Sequence, residues 1–174
     1  MGKVVVQIYN NSLNSLPKYE TNGSAGMDVR ADFSRVCPEN PIKLFGEGEI
    51  VFAGDGHPKT LLRLEPGSRA LIPTGLYTGI PEEYEIQVRP RSGLALKKGL
   101  TCANCVGTID SDYKNEIGVI LINLGLETVW IEDGERICQF VLNKIPQIEW
   151  QPVSGIDKLS GDNRGGGFGH TGTH

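Results

Sequence analysis

Long hydrophobic runs are missing from the chain: no window of its 174 residues approaches the roughly 18 uninterrupted apolar positions that a membrane-spanning helix needs. The first apolar run, Val4-Val5-Val6, is interrupted by Gln7 and followed by Asn10-Asn11, so no secretory leader is visible. Cysteine is scarce. Cys37, Cys102, Cys105 and Cys138 are too few for a disulfide scaffold of this length. With no leader, reduced thiols in a cytoplasmic compartment are expected. Positive charge is not in excess either, with 17 Lys and Arg against 21 Asp and Glu. That balance argues against a protein that coats nucleic acid or a membrane surface, which needs a surplus of cations. Extended stretches free of Gly and Pro are also rare. The longest is Lys3–Leu16, followed by Met27–Cys37 and Glu135–Ile145, and none carries a 3.6-residue apolar stripe. A helical bundle is therefore excluded.

Glycine is abundant: 23 residues, about 13% of the chain and nearly twice the usual ~7%. Gly and Pro together make up about 19%, below the ~25–30% that marks disorder. They separate short β-rich segments: Lys3–Tyr9, Leu61–Leu64, Ala70–Ile72, Leu76–Ile80, Tyr84–Val88, Ile117–Leu124, Thr128–Ile131, Ile137–Leu142 and Ile148–Val153. Many short strands with turn signals between them predict an all-β barrel or sandwich. Residues 34–60 place two apolar runs, Ile42–Phe45 and Ile50–Ala53, among several Gly and Pro. They read as an edge hairpin turned at Gly46-Glu47-Gly48. Residues 155–174 hold seven glycines and only three apolar side chains, Ile156, Leu159 and Phe168. Such a segment buries too little surface to offset its ordering entropy, and reads as a flexible arm after a domain spanning 1–154.

Four constellations carry candidate chemistry. Pro90-Arg91-Ser92-Gly93-Leu94-Ala95 combines a guanidinium fork, a hydroxyl and an approachable backbone, the parts of a phosphate cradle; it also fits a strand-ending turn. Asn104 to Tyr113 runs an apolar strand into Asp110-Ser111-Asp112. This either holds a catalytic carboxylate at a barrel mouth or forms an ordinary Asp-Ser turn. Tyr113 offers a flat face to a sugar or base, or simply packs. Cys102-Ala103-Asn104-Cys105 lacks a second cysteine pair, and His57, His170 and His174 lack ligand spacing, which argues against zinc. Arg164-Gly165-Gly166-Gly167-Phe168-Gly169-His170-Thr171 suits an arm closing over a flat, anionic ligand; an inert tail is the alternative.

Two further segments complete a pattern: Ala25-Gly26-Met27-Asp28-Val29-Arg30-Ala31 and Gly134-Glu135-Arg136-Ile137-Cys138-Gln139. Taken in order, the five segments across residues 24–172 resemble the motifs of the trimeric deoxyuridine triphosphatases (dUTPases). The resemblance implies a distorted jelly-roll β-barrel, a homotrimer with active sites at subunit interfaces, and hydrolysis of dUTP to dUMP and pyrophosphate. That reaction limits uracil in DNA and supplies dUMP for dTMP synthesis. It further implies Asp110 as general base, and Asn104 with the backbone of Gly107, Thr108, Ile109 and Ile117 on the uracil edge. Tyr113 would lie beneath the deoxyribose. Arg91, Ser92, Gly93 and Gln139 would hold the phosphates, and Asp28 would reach, through water, a Mg2+ chelated by the triphosphate. From the arm, Phe168 would stack on uracil, while Arg164, Gly169, His170 and Thr171 would cover the phosphates.

Several positions depart from the family pattern. The Arg164-to-Phe168 stretch is one residue short, Asn115 replaces Gly, Lys114 replaces Arg, and the 34–60 region is longer than in compact members. The related dCTP deaminases carry a glutamate where Ile120 stands here, which argues against deamination. A regulatory, protein-binding role for residues 34–60 would be an addition to this chemistry.

Overall fold

The computed structural model describes residues 2–54, 59–163 and 165–166. Thirteen strands and one short helix occur among them. The strands are β1 (Gln7–Asn10), β2 (Met27–Arg30), β3 (Lys43–Phe45), β4 (Gly48–Val51), β5 (Leu61–Leu64), β6 (Arg69–Pro73) and β7 (Leu76–Gly79). They continue with β8 (Tyr84–Pro90), helix α1 (Ser92–Lys98), β9 (Leu100–Cys102), β10 (Gly107–Ile109), β11 (Gly118–Asn123), β12 (Val129–Glu132) and β13 (Arg136–Lys144). All pairings between these strands are antiparallel. They form sheets ordered β10-β8-β13-β2, β3-β6-β11-β9, β12-β5-β4 and β1-β7. This is the all-β, jelly-roll architecture expected.

The period-2 alternation of the sequence builds the core. Ala70 and Ile72 of β6, Val119 and Leu121 of β11, Leu62 and Leu64 of β5, and Val129 and Ile131 of β12 all point inward and are buried. The polar core member Asn123 is tolerated because every polar atom is used. Its Nδ2 donates to Leu64 O and Glu127 O, each at 2.9 Å, and its Oδ1 accepts from Gly125 N–H at 2.9 Å.

Four local expectations change. The N-terminal strand is confined to Gln7–Asn10, with Val4 and Val5 left exposed. The two runs of the 34–60 region do not form a hairpin with one another. Lys43–Phe45 and Gly48–Val51 are both edge strands, but β3 pairs with β6 and β4 with β5. The turn at Gly46-Glu47 therefore carries the chain from one sheet to another, alongside the β5–β6 connection. Gly46 adopts a φ of +101° there, and an added Cβ would collide with Ser68. Ile148–Val153 is not a strand. No described residue pairs with it, and Ile148 and Trp150 are exposed. Finally, the turn after β8 opens the helix α1, which sequence reading missed because it has only seven residues and contains Gly93. Its end is set by Gly99, at φ +66°, whose N–H donates to Ala95 O at 3.2 Å and whose Cα faces Gly125 too closely for any side chain.

Within residues 155–163 the chain makes one 3-10 turn, Ile156–Lys158, and is largely exposed. Arg164, Phe168, Gly169, His170 and Thr171 lie outside the described residues, as does His57.

Candidate active site

Asp28 is the centre of the polar site. It sits on edge strand β2, with its side chain 11% exposed, and a carboxylate so enclosed needs donors. It has three. Oδ1 accepts from Arg91 Nε at 3.2 Å and from Gln139 Nε2 at 3.1 Å, while Oδ2 accepts from Arg136 Nη1 at 3.1 Å. Arg91 also donates through Nη1 to Arg136 O at 3.0 Å, which locks the two arginines together. Gln139 stands directly opposite Asp28 in the β13–β2 ladder. Arg136, three residues away, would face the other side of a regular strand. A bulge between Arg136 and Cys138 adds the residue that returns it to the same face.

A cleft of about 250 Å³ opens over this cluster, lined by Glu20, Ser24, Gly26, Asp28, Arg91, Ser92, Gly93 and Gln139. Ser92 and Gly93 form the exposed first turn of α1, whose leading amides have no partner inside the helix. An added Cβ at Gly93 would meet nothing, so that position leaves the backbone open to a ligand. The Arg91 guanidinium, the Ser24 and Ser92 hydroxyls, the Gln139 amide and bare backbone around one cleft are the donors that phosphate oxygens require. The sequence reading named Asp28, Arg91, Ser92, Gly93 and Gln139. It missed Arg136, whose turn toward Asp28 depends on the bulge, and also Glu20 and Ser24, which lie in an unpatterned segment.

The other expected group forms a separate cluster. Asn104 is exposed in the turn before β10, and Asp110 is exposed just after it. One edge of β10 pairs with β8, and its other edge has no strand partner among the described residues. Gly107 is buried and close-packed, since a Cβ there would lie 3.2 Å from Val88 Cβ. Thr108 is exposed, Ile109 half-buried. The loop then turns, with Tyr113 N–H donating to Asp110 O at 3.2 Å and Tyr113 Oη donating to Glu116 O at 3.0 Å. Ile117 is fully buried. Its N–H donates to Leu76 O at 2.8 Å and its carbonyl accepts from Thr74 Oγ1 at 2.6 Å. The Ile117 amide is thus committed, and the residue anchors the loop. Residues 107–117 do not make a closed hairpin, because β10 and β11 join different sheets.

The two clusters do not meet within one chain. Ile109 pairs with Ile86 at one end of β8, whereas Arg91 follows its other end and Asp28 lies on the far edge of the same sheet. At about 3.3 Å per residue and 4.8 Å per strand, the Asp110 corner is ~15–20 Å from the Asp28–Arg91 corner.

Two of the cysteines, Cys102 and Cys138, are buried and poor nucleophiles. Burial, with Cys105 adding to it, pushes the Cys102 thiol up to about 11. Burial likewise holds Cys138 well above the ordinary thiol range; Cys102 and Asp28 add to the shift and Arg91 opposes it. Cys105, by contrast, is exposed. Among the described residues, no three His, Cys, Asp or Glu side chains converge as a metal cage. Asp28 Oδ1 is filled by two donors and Oδ2 has one, which leaves a single lone pair. That arrangement fits a contact through water to an ion carried by a phosphate ligand, and does not fit a protein-built cation site.

Comparison with known proteins identifies the family. The family model described as dUTPase matches residues 59–172. A deoxyuridine 5'-triphosphate nucleotidohydrolase of Finegoldia magna is 47% identical over 167 residues, covering 96% of this chain and 98% of that protein. One of Fusobacterium nucleatum is 48% identical over 172 residues, covering 99% of each. Among solved structures, a mutant dUTPase of Staphylococcus bacteriophage 80alpha with dUpNHpp shares the fold with a TM-score of 0.71. It is 22% identical and covers 98% of this chain and 99% of that one. A dUTPase of phage phi11 of S. aureus, described with a species-specific insert, aligns with a TM-score of 0.66 and 20% identity, covering 90% of this chain and all of that one. The matched family model and the near-full-length relatives place this chain in the dUTPase family.

Proposed function

We propose that the chain hydrolyses dUTP to dUMP and pyrophosphate at a site shared between copies of itself. The observation that carries this reading is the division of the chemistry. A phosphate cradle gathers around Asp28 at one corner of a sheet, and an exposed carboxylate stands at the opposite corner. One triphosphate is too short to use both from a single chain. A cyclic assembly brings the cradle of one copy to the Asp110 corner of the next, and a homotrimer is the family's closed form.

In this mechanism Arg91, Ser92, Gly93 and Gln139 take the phosphate oxygens, and Asp28 holds Arg91 and Gln139 in register. Asp110, fixed at the end of β10, takes a proton from the water that attacks the α-phosphorus. The bond to the bridging oxygen breaks and pyrophosphate leaves. Asn104 and the unpaired edge of β10 read the uracil, where a base with different donors leaves polar groups unmatched. Tyr113 packs beneath the deoxyribose and leaves no room for a 2′-hydroxyl. Mg2+ chelated by the triphosphate supplies charge neutralisation when bound, and a structural Mg(II) ion is known in a mutant dUTPase of phage phi11. The remaining lone pair of Asp28 Oδ2 is this chain's offer to that ion's water shell. In the arm, Phe168 stacks on the base, and Arg164, Gly169, His170 and Thr171 cover the phosphates. In the cell this activity limits uracil incorporation into DNA and supplies dUMP for dTMP synthesis.

The test is pyrophosphate release from dUTP, dCTP, dTTP and UTP, each with Mg2+ or with EDTA. Release from dUTP alone, suppressed by EDTA, is expected. Equal release from all four, or ammonia release from dCTP, contradicts the reading.

A further inference from the structure

The stretch that follows β2 reaches across the molecule to the loop that carries Asp110 and Tyr113. Asp32 is 1% exposed and spends its carboxylate locally. Its Oδ1 accepts from Ser34 N–H at 3.2 Å and Ser34 Oγ at 2.6 Å, and its Oδ2 from Arg35 Nε at 3.2 Å and Nη2 at 3.1 Å. This fixes the Arg35 guanidinium at its base. The same Nη2 also donates to Glu116 Oε1 at 2.7 Å, so one nitrogen bridges the two carboxylates. The same oxygen accepts Gly75 N–H at 2.8 Å. Burial alone would raise the Glu116 carboxyl, but the hydrogen bonds from Arg35 and Gly75, with the Arg35 charge, hold it below the usual range.

Glu116 is where the loop rejoins the barrel. Its carbonyl accepts the Tyr113 hydroxyl, and the next residue is bolted to β7 through Leu76. On the other side of Tyr113, packing does not do this work. A cavity of about 350 Å³ lies between residues 36–43 and the Tyr113–Gly118 stretch. The Arg35–Glu116 pair is a polar connection from the stretch after β2 to this loop, beside that cavity.

We propose that Arg35 is a positioning residue of the nucleotide site. By bridging Asp32 and Glu116 it sets the height of Tyr113 beneath the sugar, and so sets discrimination between deoxyribose and ribose. The sugar contact rests on the dUTPase reading above. The loop restraint does not.

The test uses the full chain with Arg35→Ala, Arg35→Lys, Glu116→Gln and the Arg35→Ala/Glu116→Gln double variant. For Arg35→Ala, KM for dUTP is expected to rise about tenfold with kcat within about twofold, and the dUTP-to-UTP ratio in kcat/KM to shrink about tenfold. Arg35→Lys should recover part of both, because it keeps the charge and loses the fork. The double variant should be no worse than the worse single one. An unchanged dUTP-to-UTP ratio, or equal losses for every nucleotide, overturns the assignment. Amide hydrogen exchange over residues 110–117 reads the restraint without substrate. Faster exchange is expected in Arg35→Ala and Glu116→Gln, and also in Arg35→Lys to a smaller degree should Arg35→Ala not fold. Unchanged exchange overturns the proposal even if dUTP is hydrolysed. If wild type leaves dUTP intact while exchange rises in the variants, the functional reading fails and the restraint stands.

Discussion

At the scale of single residues, the site depends on one carboxylate satisfying three donors. Asp28 is what keeps Arg91 and Gln139 side by side at the cleft with Arg136 bonded behind them, although like charges repel. Asn at this position has nearly the same shape but presents an NH2 group where one donor needs an acceptor. Asp28→Asn should lower kcat/KM for dUTP about 10–100-fold, the usual cost of losing a group that orients a binding residue, while far-UV circular dichroism stays that of a β protein. An unchanged kcat/KM would remove Asp28 from the orienting role. The residue types were legible in sequence, since Asp28, Arg91 and Gln139 all stand in recognisable segments. Their mutual bonding was not. Arg136 reaches Asp28 only because an irregularity in β13 reverses its facing, and nothing in the residue order announces a bulge.

At the scale of elements, short strands were readable wherever apolar residues alternated against a buried face, as in β5, β6, β11 and β12. They were misread where pairing depends on distant partners. Residues 43–51 carry the alternation of two strands, yet each joins the sheet beside it and they do not pair with one another. Ile148–Val153 has strand composition and no strand partner among the described residues. Helix α1 escaped notice because it is held by tertiary context: burial of Leu94 and a left-handed cap at Gly99. Gly99→Ala tests that cap. The substitution forces an alanine into positive φ and drives its Cβ into the Gly125 backbone. We expect a loss of about 1–3 kcal/mol, seen as a lower midpoint in thermal unfolding. A melting curve superimposable on wild type would show that α1 ends by other means.

At the scale of the whole molecule, a single chain contains both halves of the proposed chemistry and does not join them. Asp110 and the Asp28–Arg91 cradle occupy opposite corners of one four-stranded sheet. Sequence order alone gave the same residues without that separation, because spacing along a chain says nothing of which corner each strand end occupies. The antiparallel register supplies it. The most direct measurement mixes two variants, Asp110→Asn and Arg91→Ala, by co-refolding equal amounts and measuring pyrophosphate release from dUTP. Each variant alone should be nearly inactive. In random assemblies half the chains bring an intact cradle and half an intact base, so about a quarter of the shared sites are whole and about a quarter of wild-type activity should return. A mixture no more active than the two variants assayed separately would contradict a site shared between copies.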